Sequence, residues 1–316
     1  MTFEIVYPRE FNIIGGAEHM TFMAEDIIKQ KGHTVIRSIR KHNPKVNADK
    51  VVFISRQYDN IKESLDLGLN VALIGYYSFY HTFSHVLKSK PQIEHIEELY
   101  QLFNYPNFTF ITMTVNDLHI AQTISPGKNI KLGTNLLPQG CSEQYFDANG
   151  DLLFCGRLCE QKNTVELAKL AYDLPNIDIR VTNVEDADDK WYYDYAHCTL
   201  DNIPNIVFVN PTRTVQDNGS YWKGVRGLVL TSIYETMPLV MAEALSKGIP
   251  VYMYDIVTAD TQCFRNVYVV PQGYHHTMAD RIMSFDPNVN IKSQYIEDSN
   301  TYSKDWSTIV DAILEF

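Results

Sequence analysis

The chain has 316 residues, 45% of them hydrophobic and 21% charged, with a formal net charge of −11 at pH 7. That composition excludes a disordered or fibrous protein, and so acidic a balance argues against a general nucleic-acid binder. The length suits two compact domains; no apolar run reaches membrane-spanning length, and Met1-Thr-Phe-Glu-Ile-Val leads directly into a strand-like run. The expectation is a cytoplasmic protein without signal peptide or transmembrane segment. The excess acid falls in the second half, whereas Lys29, Lys31, Arg37, Arg40, Lys41, Lys45 and Lys50 form a basic stretch in the first. Five cysteines, Cys141, Cys155, Cys159, Cys198 and Cys263, have no paired spacing, which points to reduced thiols.

In chain order, Phe3–Tyr7 reads as a strand and Asn12-Ile-Ile-Gly15-Gly16 as the loop that opens a helix over Ala17–Lys31. Adjacent glycines at a helix start let backbone N–H groups approach a phosphate, although a glycine pair is often only a turn. Thr34–Ile39, Val51–Ser55 and Val71–Tyr76 follow as strands. After the last of these comes Gly75-Tyr-Tyr-Ser-Phe-Tyr-His81-Thr-Phe-Ser-His85. A helix over Gln92–Phe103 and strands at Phe108–Thr114 and Ile130–Leu137 complete the first half. At the junction, Leu137-Pro-Gln-Gly-Cys-Ser-Glu-Gln-Tyr-Phe146 offers a proline–glycine turn followed by an aromatic residue.

The second half repeats the alternation. Strands are expected at Leu152–Arg157, Ile177–Thr182, Ile206–Val209, Leu228–Ser232, Val251–Tyr254 and Val267–Val270, with helices such as Thr164–Tyr172, Pro238–Lys247 and His276–Ser284. Strand, crossover helix and strand in repetition mean parallel sheets covered on both faces. Two such sets, joined near Gln144–Gly150, give an α/β protein of two doubly wound, Rossmann-like domains facing each other across a cleft. Ligands of such sheets bind beyond the carboxyl ends of the strands.

Two strand ends there carry charge. Gly156-Arg157-Leu-Cys-Glu-Gln-Lys162-Asn puts two cations where a strand leaves for a helix, as a diphosphate would require. Thr231-Ser-Ile-Tyr-Glu235-Thr-Met-Pro238 leads into Leu-Val-Met-Ala-Glu243-Ala-Leu-Ser-Lys-Gly248. Pro238 suits a first helical turn, and Lys247-Gly248 supplies a cationic last turn and a stop. Glu243 lies among apolar residues, so its carboxylate needs a partner: either Lys247 four residues on, or two hydroxyls of a ligand such as a ribose diol. Asn183 and Thr212, at the ends of two second-half strands, are candidate neighbours of a base or phosphate.

The order of these features resembles the nucleotide-sugar-dependent glycosyltransferases of family 4, which have the GT-B fold. The resemblance rests on the Gly15-Gly16 loop, Gly-Arg-Leu-x-x-x-Lys at 156–162, Pro-Gln-Gly…Phe at the junction, the Glu235/Glu243 pair and Ser303-Lys-Asp-Trp306, and it spans essentially the whole chain. It implies an acceptor-binding domain over 1–147, a nucleotide-sugar-binding domain over 148–300, and a C-terminal helix over 301–316 packing back toward the first domain. It also implies transfer of a hexose or pentose with retention of configuration, with no bound metal and no permanent cofactor. A nucleotide diphosphate sugar would be the donor, and a saccharide, a small molecule or modified DNA the acceptor.

Carried over residue by residue, the catalytic set is Arg157, Lys162, Glu235 and His81. Arg157 and Lys162 would stabilise the departing diphosphate, and Glu235 would contact donor-sugar hydroxyls. Glu243 would hold the ribose, and backbone N–H groups around Thr236, Met237, Pro238 and Leu239 would face the sugar and distal phosphate. Gly15 and Gly16 would complete the phosphate cradle. A histidine from the first domain, His81 or His85, would line the site. The sequence departs from the family in three respects: Thr236 stands where glycine is usual, Gln139 replaces asparagine, and the first domain is short. Three alternatives remain at this point: a phage-type glycosyltransferase acting on hydroxymethylated bases in DNA, a catalytically silent scaffold, and a nucleotide-sugar epimerase.

Overall fold

The computed structural model describes residues 1–7, 16–54, 57–75, 97–138, 143, 145–184, 190–209, 220–256, 260–305 and 307–316. Within them are two six-stranded sheets, every pairing parallel. The first has the order β2-β1-β3-β4-β5-β6, built from Thr2–Tyr7, Thr34–Ile39, Lys50–Phe53, Asn70–Gly75, Phe108–Thr112 and Ile130–Leu132 in chain order. The second has the order β12-β11-β10-β7-β8-β9, built from Phe146–Arg157, Ile179–Val184, Ile206–Val209, Val225–Leu230, Val251–Tyr254 and Val267–Val270. Both are doubly wound orders. All twelve strands fall where short β-branched and aromatic runs predict them. Phe146–Arg157 begins earlier than expected, because the polar Asp147-Ala-Asn-Gly150 stretch is extended rather than a turn.

Each sheet is buried on both faces, which explains why its strands read as continuous apolar runs rather than alternating ones. In the second sheet Leu152 and Phe154 face one core, with Leu167, Leu170 and Met278. Leu153 and Cys155 face the other, with Met241, Leu245 and Tyr295. The helices Thr164–Asp173 and His275–Met283 therefore cover one face, while Leu239–Ser246 and Ile291–Asp305 cover the opposite one. Among the described residues no helix is long and apolar enough to cross a membrane. Cys155, Cys159, Cys198 and Cys263 are free thiols.

The segment after residue 290 forms two helices. Ile291–Asp305 ends the run on the second domain, and Ile309–Glu315 starts with a capping box between Thr308 and Asp311. Ile309, Val310, Ala312 and Ile313 are buried in one core with Ile5 and Ile74 of the first sheet and Ala24 of the helix Gly16–Gln30. Gly133 permits that approach, since a Cβ there would lie 3.1 Å from the Ala312 Cβ and 3.2 Å from the Ile309 Cα. Thr134 bridges to Thr308 beside it.

Candidate functional site

The strand order of the second sheet reverses between β7 and β10, whose crossovers run to opposite faces. This switch point is where a doubly wound sheet opens a crevice beyond its strand ends. β7 ends in Arg157 and β10 in Leu230. The loops leaving these two ends hold the charged residues that the sequence singles out.

The loops are joined to each other. Thr231 donates its hydroxyl to the Lys162 carbonyl at 2.7 Å, Ile233 N donates to Gln161 O at 2.8 Å, and Gln161 Nε2 donates to Tyr234 O at 3.0 Å. On the far side Gln272 Nε2 donates to Ser232 O at 3.0 Å. Residues 231–235 are thus held by backbone carbonyl contacts on both flanks. Lys162 closes a short 3-10 turn, Glu160–Lys162, and Asn163 then adopts a left-handed conformation with φ 51° before the next helix starts. Asparagine is among the few non-glycine residues that tolerate it.

Within this frame Lys162 Nζ donates to Glu235 Oε1, which also accepts the Ser232 hydroxyl at 2.8 Å. The pair is nearly enclosed, the side chains being 17% and 10% exposed. The Lys162 stem lies across Gly156, where an added Cβ would come within 3.4 Å of its Cε. Arg157, the last residue of β7, is exposed at the same end. An enclosed lysine–glutamate pair therefore lies at the sheet's switch point, with Arg157 ending the same strand, an arrangement suited to a charged ligand with hydroxyl groups.

Beyond Glu235 the chain turns through Thr236, Met237 and Pro238 into the helix Leu239–Ser246. Pro238 is the N-cap, one residue ahead of the expected first turn, because its φ of −67° is paired with an extended ψ of 110°. The helix ends as expected: Gly248 has φ +79°, its N–H donates to Leu245 O, and Ile249 N donates to Ala244 O. These two bonds form a Schellman stop. The helix is not buried all round, for Leu239, Val240 and Glu243 are half-buried. Among the described residues the Glu243 carboxylate has no hydrogen-bond or ion-pair partner. The Lys247 alternative is not realised: its ammonium stands over the Tyr145 and Trp222 rings, 5.7 and 5.5 Å from their centroids.

The first domain reaches the same loop. Asn135, buried just beyond β6, donates Nδ2 to the Met237 carbonyl at 3.1 Å, and its Oδ1 is buried without a partner. Asn135, Ser232, Gln161 and Gln272 did not emerge from sequence reading. Ser232 lies in the charged stretch itself, three residues before Glu235, so its spacing was available as a signal; the other three act through contacts between distant segments. Gly16 opens the helix Gly16–Gln30. Asn183 lies in β8, beside Gly156. Gly15, His81, His85 and Thr212 lie outside the described residues, as does an Asp-x-Asp triplet, Asp186-Ala187-Asp188.

No protein-family model matches the chain, and no curated protein matches it. Solved structures do. A sucrose-phosphate synthase from Thermosynechococcus elongatus superposes with a TM-score of 0.74 at 11% identity, covering 99% of this chain and 96% of its own. Anabaena HepE, in complex with UDP and glucose, gives 0.70 at 12% identity, covering 98% and 96%. WaaG, a glycosyltransferase involved in lipopolysaccharide biosynthesis, gives 0.65 at 13% identity with both chains fully covered. This chain has the GT-B fold. The agreement extends over both sheets at once, so it concerns the pair of domains and not merely one Rossmann-like unit.

Proposed function

We propose that this GT-B chain is a metal-independent, retaining glycosyltransferase that moves a sugar from a nucleotide diphosphate donor to an acceptor hydroxyl. The observation that carries the reading is the half-buried Glu243 carboxylate, unpartnered among the described residues and one helix turn beyond a loop whose Glu235 meets Lys162 at the switch point. A carboxylate so placed has acceptor capacity to offer, and a ribose diol supplies two donors. Residues 148–300 would hold the donor and residues 1–147 the acceptor; a cytoplasmic location belongs to the same proposal.

In this reading Glu235 neutralises Lys162 until the donor arrives. The diphosphate then takes Lys162 and Arg157, which frees Glu235 to accept donor-sugar hydroxyls while Ser232 keeps it oriented. As the bond between the anomeric carbon and the diphosphate oxygen breaks, the two cations meet the charge that develops on the leaving oxygen. The acceptor oxygen bonds to the anomeric carbon on the face the diphosphate leaves, and its proton passes to the departing diphosphate. Backbone N–H groups at Thr236, Met237 and Leu239, with Gly16 from the first domain, would complete the cradle. His81 would line the sugar pocket, and Asn183 and Thr212 would neighbour the base or the phosphates.

A saccharide or small-molecule acceptor is favoured over modified DNA. Four cations of the basic stretch are engaged internally: Lys29 and Arg37 with Glu25, Lys31 with Asp311, and Lys50 with the Leu314 carbonyl. Of the stretch, Arg40, Lys41 and Lys45 remain, few for tracking a phosphate backbone.

The test is a thermal-shift screen against nucleoside diphosphates and their sugars, with and without EDTA, beginning with UDP-glucose because HepE was solved with UDP and glucose. A ligand at about a hundred times its dissociation constant should add about 2.7 kcal/mol of stability. No shift from any nucleotide sugar would overturn donor binding. Binding or transfer abolished by EDTA and restored by Mg2+ or Mn2+, with His276→Ala behaving as wild type, would overturn metal independence and direct attention to Asp186 and Asp188.

A further inference from the structure

On the face of the second sheet opposite the Glu243 helix, three metal-ligating side chains converge on one point. Asp173 is the last residue of the helix Thr164–Asp173; His275 and His276 are the first two of the helix His275–Met283. Asp173 Oδ2 lies 2.5 Å from His275 Nδ1 and 2.9 Å from His276 Nδ1. All three ligand atoms are within 4.8 Å of one another. Consecutive residues on a helix ordinarily face different directions. Here both rings turn the same nitrogen toward the same carboxylate oxygen, with ring centroids 4.1 Å apart.

We propose that Asp173, His275 and His276 form a binding site for a divalent transition-metal ion, of the zinc class, separate from the donor site. Two imidazole nitrogens and one carboxylate oxygen are a donor set that zinc accepts, with metal–ligand bonds of about 2.0–2.2 Å. A tetrahedral ion would hold its ligand atoms about 3.3 Å apart. The observed nitrogen–oxygen separations reach that with shifts of under about 1 Å, within a site whose ligands sit at helix ends.

Two surrounding features fit a cation. A second carboxylate, Glu166, stands close enough to sense His275; it accepts from Tyr254 OH at 2.7 Å and from Lys169 Nζ at 2.6 Å. Burial opposes its ionisation, but the bonds from Lys169 and Tyr254 outweigh burial and hold its pKa below the usual range. Asp173 and His275 are largely enclosed, whereas the His276 side chain is 78% exposed. The fourth coordination position therefore opens to solvent, giving an ion an entry path. The ion would tie the end of the helix Thr164–Asp173 to the start of the helix His275–Met283.

The experiment uses tag-free full-length protein treated with EDTA and then titrated with Co2+ and Zn2+, with no nucleotide present. Saturable Co2+ binding at one equivalent, with the visible absorption of a low-coordinate Co2+ and displacement by Zn2+, is the expected result. Zn2+ should also raise the melting temperature. His276→Ala, at an exposed position that leaves the core intact, and Asp173→Asn should each weaken binding at least ~10-fold. Absence of saturable binding, or equal binding by wild type and His276→Ala, would overturn the site. Because no donor is present, the outcome is independent of the proposed transfer activity.

Discussion

Asn135 and Met237, 102 residues apart, are joined by a hydrogen bond from the Asn135 side-chain amide to the Met237 carbonyl, 3.1 Å long and buried. It connects the segment just beyond the last strand of the first sheet to the turn between Glu235 and Glu243. The peptide whose carbonyl it fixes leads directly into the Glu243 helix, so the first domain has a direct hold on the orientation of the proposed donor loop. The linker is itself tethered: Thr134 N donates to Ser307 O at 3.0 Å, and Tyr295 OH donates to Pro138 O at 2.7 Å.

Asn135→Leu should therefore affect both stability and donor binding. The Met237 carbonyl would lose its partner in a buried place, costing about 1–3 kcal/mol. Part of that is offset because the unpartnered Asn135 Oδ1 disappears as well. Urea unfolding reads the first effect, and nucleotide titration the second. Weakened nucleotide binding with little change in acceptor KM would place Asn135 as a positioning residue of the donor loop. Unchanged nucleotide affinity would reduce it to a structural link between domains.

Glu243→Ala should behave oppositely with respect to folding. With no partner to lose among the described residues, the variant should keep or slightly exceed wild-type stability in urea. Its affinity for a nucleoside diphosphate should fall by about 1.5–3 kcal/mol, the scale of hydrogen bonds to a charged group. A 2′,3′-dideoxy nucleotide should bind wild type and variant alike. If the variant loses affinity for both nucleotides equally, Glu243 does not read the ribose hydroxyls.

Lys162→Met removes one partner of an enclosed ion pair. The Ser232 hydroxyl still donates to Glu235, and a cost of about 3 kcal/mol is expected, the lower end for breaking a buried pair. Adding Glu235→Gln should restore part of the stability by removing the charge that Lys162 had balanced. It should not restore transfer, since Lys162 is needed at the leaving diphosphate. Recovery of turnover in the double variant would show that Lys162 serves only to balance Glu235.

Periodicity and punctuation carried most of the fold. The strands were legible because a parallel sheet covered on both faces demands short, unbroken apolar runs, and Leu152–Arg157 or Val251–Tyr254 offer little else. The Glu243 helix was legible from Pro238 and Gly248, whose backbone preferences place its ends. The helix Lys190–Asp201 was not singled out, because Trp191-Tyr-Tyr-Asp-Tyr has weak helix propensity and acquires its helix by packing Tyr192 and Tyr193 against the core. Lys162 and Glu235 were each legible as strand-end charges, but their mutual contact spans 73 residues and leaves no local trace. The same holds for Asn135, whose role exists only once the two domains meet.

Asp260 presents a further contact of that kind, with a measurable pH signature. Its carboxylate is fully buried, and Oδ2 accepts from Val115 N at 3.0 Å and from Tyr302 OH at 3.0 Å, while Oδ1 accepts from Asn116 N at 3.4 Å. It thereby supplies an anion from the second domain to the start of the first-domain helix Val115–Ile124, which its own Thr114 also caps. Burial pushes the Asp260 pKa up, against the opposing bonds from Val115, Tyr302 and Asn116 and the nearby His119. A raised folded-state pKa means that the folded protein binds this proton more tightly than the unfolded chain does. The resulting stability is fully present below the unfolded value of about 3.9 and is lost as pH rises through the folded value. Asp260→Asn cannot titrate, so the stability of wild type relative to this variant should be greatest at the acid end and should decline as pH rises toward neutrality. Urea unfolding of both proteins across that range, compared pairwise so that shared titrations cancel, measures the difference. A difference that grows with pH would mean that the backbone N–H groups and Tyr302 dominate burial, and that Asp260 is held as an anion throughout.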